Sequence, residues 1–208
     1  MRDFVYGRSL HAYALVTGPA QEPITLDEAR RQARIVGEDS DTLLRSYIVT
    51  ARQEAETTLR RALFTQTWRH DLEEFEEVMP LPMAAPLQSV THVKYYDTDG
   101  VLQTLSASYY EVDTLATPGR IVRAPDVSWP ALQADRRTGR VQITYVAGWA
   151  TVASIPEKIK QGIRMYVTYL DSDRDGAEMF GNVSVGEKAR ESAYACWSDV
   201  VHWVPACE

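Results

Sequence analysis

The run Asp171-Ser172-Asp173-Arg174-Asp175-Gly176 has the most metal-like spacing in this chain. Carboxylates at alternate positions can converge on one hard cation, and a glycine in sixth place permits the sharp turn such a loop needs. The second half departs from that pattern. Asn182 stands where a bidentate glutamate should close the shell, and Arg174 sets a positive charge inside the loop. Asp171, Asp173 and Asp175 are thus either a weak calcium site, the basis of a metal-dependent hydrolase, or an acidic turn that ends a helix. Glu73, Glu74, Glu76 and Glu77 place four carboxylates within five residues. Such acids can pair for hydrolysis, but a cluster at the end of a strand is more commonly a solvated face. His11, His70, His92 and His202 share no ligand spacing. No serine sits in a Gly-x-Ser-x-Gly turn, and neither phosphate-binding glycine pattern occurs. Cys196 and Cys207 are too few for a disulfide framework or a four-ligand zinc site, and read as thiols in a reducing compartment. No catalytic residue, metal or cofactor is assigned, so the chain reads as a structural or docking part and not as an enzyme.

The elements around these residues come in a distinctive order: two helical segments, about 85 residues of strands and turns, then two more helical segments. The fold class expected is α+β, an amphipathic helical bundle with a central, mostly antiparallel β insertion. Thr25-Leu26-Asp27-Glu28 has the capping-box pattern and opens a helix over about 25–36. Asp39-Ser40-Asp41 caps a longer one over about 40–63, in which Leu44, Ile48, Ala51, Ala55 and Leu59 recur at three- and four-residue steps. Arg45, Arg52, Arg60 and Arg61 lie off that stripe and read as a solvated face or, failing that, a basic strip facing a partner. A third helix, about 156–171, follows Ser154-Ile155-Pro156-Glu157 and carries Ile159, Ile163, Tyr166, Val167 and Leu170 on one face. Neither amphipathic helix is stable alone, so the two faces should pack together and bring the ends of the insertion into proximity.

The β insertion covers about 64–150. Thr65 to Leu72 alternates and is rich in β formers. Val90 to Tyr96 and Val101 to Leu105 flank Asp97-Thr98-Asp99-Gly100, a hairpin signal. Tyr109 to Val112, Arg120 to Arg123 and Gly139 to Ala147 add further strands, and Trp68, Trp129 and Trp149 are expected to fill the core of this region. Residues 1–22 read as an N-terminal arm. Residues 173–208 read as a polar loop followed by a C-terminal helix from Ser184, with Trp197, Val200 and Trp203 along it. No later segment covers Trp197 and Trp203, which leaves two readings open: a contact with another chain, where tryptophan is enriched, or an internal core.

Composition narrows the function. With 208 residues, 45% hydrophobic and 25% charged, the chain can bury a core. A net charge of −7 disfavours a nucleic-acid clamp, which needs a surplus of Lys and Arg. The apolar stretch from Leu10 to Val16 is seven residues, against about 20 for a spanning helix, so no membrane contact is expected.

Several blocks in order carry a family resemblance: Thr25-Leu26-Asp27-Glu28-Ala29; Glu38-Asp39-Ser40-Asp41; Ala62-Leu63-Phe64-Thr65-Gln66-Thr67-Trp68; Leu81-Pro82 through Pro86-Leu87-Gln88-Ser89-Val90 and the Asp-Gly hairpin; Tyr109-Tyr110-Glu111-Val112-Asp113; Trp129-Pro130; and Val146-Ala147-Gly148-Trp149 before Ile155-Pro156. Over roughly residues 23–172 the chain resembles the head–tail connector, or adaptor, proteins of long-tailed phages and phage-derived gene transfer agents. The resemblance implies a subunit of a ring, commonly of twelve copies, docked beneath the portal protein. Such a ring extends the DNA channel and offers a platform to a downstream tail or stopper protein. It also implies a place at the head–tail interface of a virion or phage-like particle assembled in the bacterial cytoplasm. DNA would pass through the lumen without specific binding. On that reading Trp197, Val200 and Trp203 are portal-docking candidates. Glu73, Glu74, Glu76 and Glu77 are channel-lining candidates, since a lumen of carboxylates repels phosphates. The alternatives to the connector are a metal-dependent hydrolase using the Asp171 loop and a non-phage interaction module that binds a peptide on an open edge of the β sheet.

Overall fold

The computed structural model describes residues 12–34, 41–136, 138–174 and 185–201. The chain divides into two compact units. One comprises Met1–Gly18 and Thr65–Gly148, the other Pro19–Phe64 and Trp149–Glu208.

The second unit is helical. It holds α1 (Leu26–Ala33), α2 (Asp41–Leu59), α3 (Glu157–Arg174) and α4 (Val185–Val201). The capping box at α1 forms as its sequence predicts. The Thr25 hydroxyl accepts from the Glu28 amide at 3.2 Å, and the Glu28 carboxylate accepts from the Thr25 amide at 2.7 Å. The helix ends earlier than expected because Arg34 turns into the left-handed region at φ 59°. Leu44, Ile48, Ala51, Ala55 and Leu59 of α2 are buried, as are Ile159, Ile163 and Val167 of α3. The two faces share one core, as their periodicity demands.

Three other expectations are corrected in this unit. α2 stops at Leu59, because Arg60 adopts a left-handed conformation at φ 51°. Helix α3 runs through Arg174, past the predicted stop at 171. Arg52 and Arg61 are buried, 6% and 8% exposed, and do not lie on a solvated face. Arg52 is taken into the fold by Glu22 at 2.8 Å and Glu56 at 2.7 Å. The other Glu56 oxygen accepts from the Leu63 amide at 3.0 Å, and Phe64 forms a parallel bridge with Trp149. The chain thus leaves and re-enters the helical unit side by side, as the packing of α2 on α3 implies.

The first unit is β. A five-stranded antiparallel sheet has the order β1 (Ala12–Thr17), β2 (Gln66–Leu72), β8 (Val141–Ala147), β4 (Leu87–Tyr96), β5 (Leu102–Thr104). A three-stranded sheet has the order β3 (Val78–Pro80), β7 (Arg120–Arg123), β6 (Tyr110–Asp113). Strand β8 alternates as its sequence predicts: Val141, Ile143, Tyr145 and Ala147 are buried and the residues between are not. Leu72, Met79, Leu81, Val93 and Ile121 are buried in the same unit. The Tyr145 hydroxyl donates to the Pro82 carbonyl, and burial pushes its phenol upward. The hairpin between β4 and β5 forms with Gly100 at φ 78°, and Asp97 Oδ1 accepts from the Asp99 and Val101 amides. Gly119 sits so close to Leu87 that a Cβ there would come within 2.3 Å of the leucine Cβ.

Residues 12–17, within the stretch read as an N-terminal arm, pair with β2 as an edge strand. One expectation fails here. Trp68, Trp129 and Trp149 are only half-buried. The β core is made of aliphatic side chains and Tyr145, whereas Trp149 packs against the helical core.

Candidate functional site

Helix α4 lies against the helical core with Ala193 and Trp197 fully buried. The Trp197 indole N–H donates to the Ile159 carbonyl at 3.3 Å. Its ring lies 5.8 Å from that of Tyr166 and 5.4 Å from that of Tyr194. Gly162 is the backbone cradle for the indole: a Cβ there would fall 2.2 Å from Nε1. Of the two readings of Trp197, the structure therefore selects the internal core. The side chain offers no surface to a partner. Val200 is half-buried and packed on the same core, and Trp203 lies outside the described residues. Tyr194 donates to Glu54 at 2.6 Å, and burial together with that carboxylate pushes its phenol up to about 12. These contacts pin α4 in place and leave its outer face to serve any docking.

The acidic run falls in the turn between β2 and β3. It is less free than its sequence suggests. Glu74 pairs with Arg140 at 3.1 Å and Glu77 with Arg123 at 2.8 Å, while both carboxylates remain about two-thirds exposed, at 70% and 67%. Phe75, between them, stacks on Trp129 at 4.6 Å. The turn is thus held by alternating apolar and ionic anchors. Its outward charge is partly offset by two arginines.

The candidate cation loop does not form as a loop at its start. Asp171 and Asp173 lie in the last turns of α3. Asp175 lies outside the described residues. Among the described residues no group of three or more His, Cys, Asp or Glu side chains is placed to hold a metal ion.

Sequence reasoning missed the apolar side chains left in water. Tyr13, Leu15 and Val16 on β1 are 53%, 48% and 57% exposed, and Val101 and Leu102 at the opposite edge of the sheet are 53% and 41%. The signal in the sequence is the apolar stretch from Leu10 to Val16. Leu115 is 94% exposed at the tip of a turn whose base is fixed by Asp113. That carboxylate accepts from the Leu115 and Ala116 amides and from Arg120, and these donors, the Ala116 amide first, hold it below the usual carboxylate range.

The comparisons with known proteins agree with this architecture. The family model of the phage gp6-like head-tail connector proteins matches residues 23–117. These residues include α1, α2 and strands β2 to β6. No curated protein matches the chain. Among solved structures, a chain in the neck of an empty gene transfer agent particle, computed with C6 symmetry, has a TM-score of 0.68 at 19% identity. The match covers 89% of this chain and 94% of that one. A chain in the virion of a native gene transfer agent particle has a TM-score of 0.66 at 21% identity, with the same coverage of 89% and 94%. A chain in the neck of a native particle, computed with C12 symmetry, has a TM-score of 0.58 at 18% identity, covering 85% and 93%. Residues 23–117 are thus similar to the gp6-like connectors, and along most of its length the chain shares the fold of the chains found in these particles.

Proposed function

We propose, from the kinship of residues 23–117 with the gp6-like head-tail connector proteins, that this chain is a head–tail connector subunit of a phage or phage-like particle. It works by oligomerising and docking, not by catalysis. Copies form a ring beneath the portal, extend the DNA channel and offer a platform to the next tail or stopper component. The observation that carries this reading is the agreement between a family match in the N-terminal half and a shared fold over 89% of the chain. The C12 symmetry of one neck with the same fold supports twelve copies.

Charge fits the role. A chain of net charge −7 repeated around a lumen repels phosphate and lets DNA slide. Glu73, Glu74, Glu76 and Glu77 are the proposed lining, with Glu74 and Glu77 reaching solvent even while paired. Portal contact is assigned to the C-terminal segment through Trp203 and the exposed side of α4. Trp197 has no part in it.

The test is association with portal rings of the same particle, followed by light scattering. Co-migration at near-stoichiometric multiples of the portal subunit is the expected result. Absence of association at both low and moderate salt refutes the connector reading.

A further inference from the structure

We infer that copies of this chain join edge to edge through the larger sheet, β1 of one copy lying against β5 of the next. The inference deepens the ring reading above and rests on it. Among the described residues β1 pairs only with β2, and β5 only with β4, so each end of the sheet presents an unused row of backbone donors and acceptors. Soluble proteins guard such edges with charges, prolines or bulges. β1 reads Ala-Tyr-Ala-Leu-Val-Thr, without a charge or a proline, and is exposed along its whole length. Its one irregularity falls between Leu15 and Thr17, which leaves Ala12 to Leu15 regular.

The face of this strand matters as much as its edge. Tyr13 lies opposite His70 and Leu15 opposite Trp68. On β8, His70 and Trp68 lie opposite Ile143 and Tyr145. Tyr13 and Leu15 therefore continue the sheet face on which His70, Ile143 and Tyr145 are buried, and they carry it out into solvent. At the other end of the sheet the exposed apolar residues are Val101 and Leu102.

Direction selects the mode of contact. Each neighbouring pair along β1-β2-β8-β4-β5 is antiparallel, so β1 and β5 run the same way. Copies related by rotation about an axis along the strands keep that sense, and β1 meets the next copy's β5 as a parallel pair. Each copy then uses one edge for each neighbour, a head-to-tail contact that closes into a ring. Pairing β1 with β1 would stop at two copies.

Area selects the occupant. Tyr13, Leu15, Val16, Val101 and Leu102 are each between 41% and 57% exposed, which offers on the order of 400 Å² of apolar surface. Stable pairwise interfaces bury about 1,200–2,000 Å². So small a contact holds only when it is repeated around a closed array. A second copy supplies both edges and that repetition; an unrelated partner bound once at a single edge supplies neither.

The test uses the full chain with Cys196→Ser and Cys207→Ser. Leu15→Cys and Leu102→Cys are made separately, mixed in equal amounts, assembled on portal rings and treated with a short bismaleimide. Cross-linked dimers from the mixture, absent from either variant alone, are expected. Rings seen by electron microscopy without mixed dimers, or dimers from Leu15→Cys alone, overturn the edge contact and leave the ring standing. If the wild-type chain forms no ring on the portal, the ring reading falls, and the edge contact with it. Leu15→Lys, at a half-exposed position, is expected to melt with the wild type but to lose at least tenfold in assembly. Assembly at the wild-type level overturns the proposal.

Discussion

Replacing Trp197 by alanine separates a core role from a docking role. The side chain is fully buried, and truncation of a buried tryptophan costs about 3–5 kcal/mol. The lost hydrogen bond to Ile159 adds about 1 kcal/mol, and edge contact with Tyr194 is lost as well. A cost of about 4 kcal/mol corresponds to a fall in melting temperature of about 8–16 °C for a chain of this size. Because the chain has two compact units, a single two-state transition is not assumed. The helical transition is followed by circular dichroism at 222 nm. Gly162→Ala attacks the same contact from the other side, since its Cβ would fall 2.2 Å from the indole nitrogen, and it should lower the same transition. Trp197→Phe keeps a ring and loses the N–H, so it should sit between the wild type and alanine. If Trp197→Ala melts within 2 °C of the wild type yet fails to bind portal rings, the core assignment is wrong and tryptophan is a docking residue.

Glu56→Ala removes one of the two carboxylates paired with buried Arg52 and the acceptor of the Leu63 amide. With Glu22 still in place the loss falls below the about 3–5 kcal/mol of a buried charge left alone, but urea denaturation should still show a clear loss of helical stability, with Glu56→Gln losing less; an alanine variant as stable as the wild type refutes the network. Gly119→Ala would drive a Cβ to 2.3 Å from Leu87 and should destabilise the β unit by about 1–3 kcal/mol, read from near-ultraviolet circular dichroism; an unchanged melt refutes the close approach. Hydrogen bonds hold three carboxyls of the helical unit below their usual range: Glu28 by the Thr25 amide, Asp41 by Arg30, and Glu157 by Lys160 and then Arg164. A folded value below the unfolded one gives stability that is present above the unfolded value and lost as pH falls through the folded one. The helical melt should therefore hold from neutral pH to about 5 and drop toward pH 3. Burial raises Glu22, which works in the opposite sense, and a melting temperature flat down to pH 3 would refute the balance of three against one.

The helices and most strands were legible because their signals are local. The Thr25–Glu28 capping box, the period of α2 and the alternation of β8 each follow from residues within one or two turns. What was not legible depends on partners distant in the chain. Arg52 reads as a surface arginine until Glu22, thirty residues away, is placed beside it. Trp197 reads as uncovered until Gly162 is known to make room for it. The end of α2 at Leu59 reflects a left-handed Arg60 that no propensity requires. Strand β1 was hidden because its pairing partner, β2, lies some fifty residues on. The acidic run was legible as a cluster, but Arg123 and Arg140, which offset it, come from later in the chain.

The closure of the helical unit gives a physical reason why an insertion of this size is tolerated. A bundle cut open between residues 64 and 149 must hold two chain ends that would otherwise fray. Glu56 reaches beyond the end of α2 to take the Leu63 amide, and the Phe64–Trp149 bridge then ties the departing and returning strands. With the ends fixed in this way, loop-closure entropy falls on the insertion and depends only weakly on its length. The helical core, Trp197 and Ile163 included, is built from residues of the helical unit alone. The substitution Glu56→Ala probes that closure directly: it should free the Leu63 amide, read as faster hydrogen exchange at Leu63 than in the wild type, and unchanged exchange refutes it.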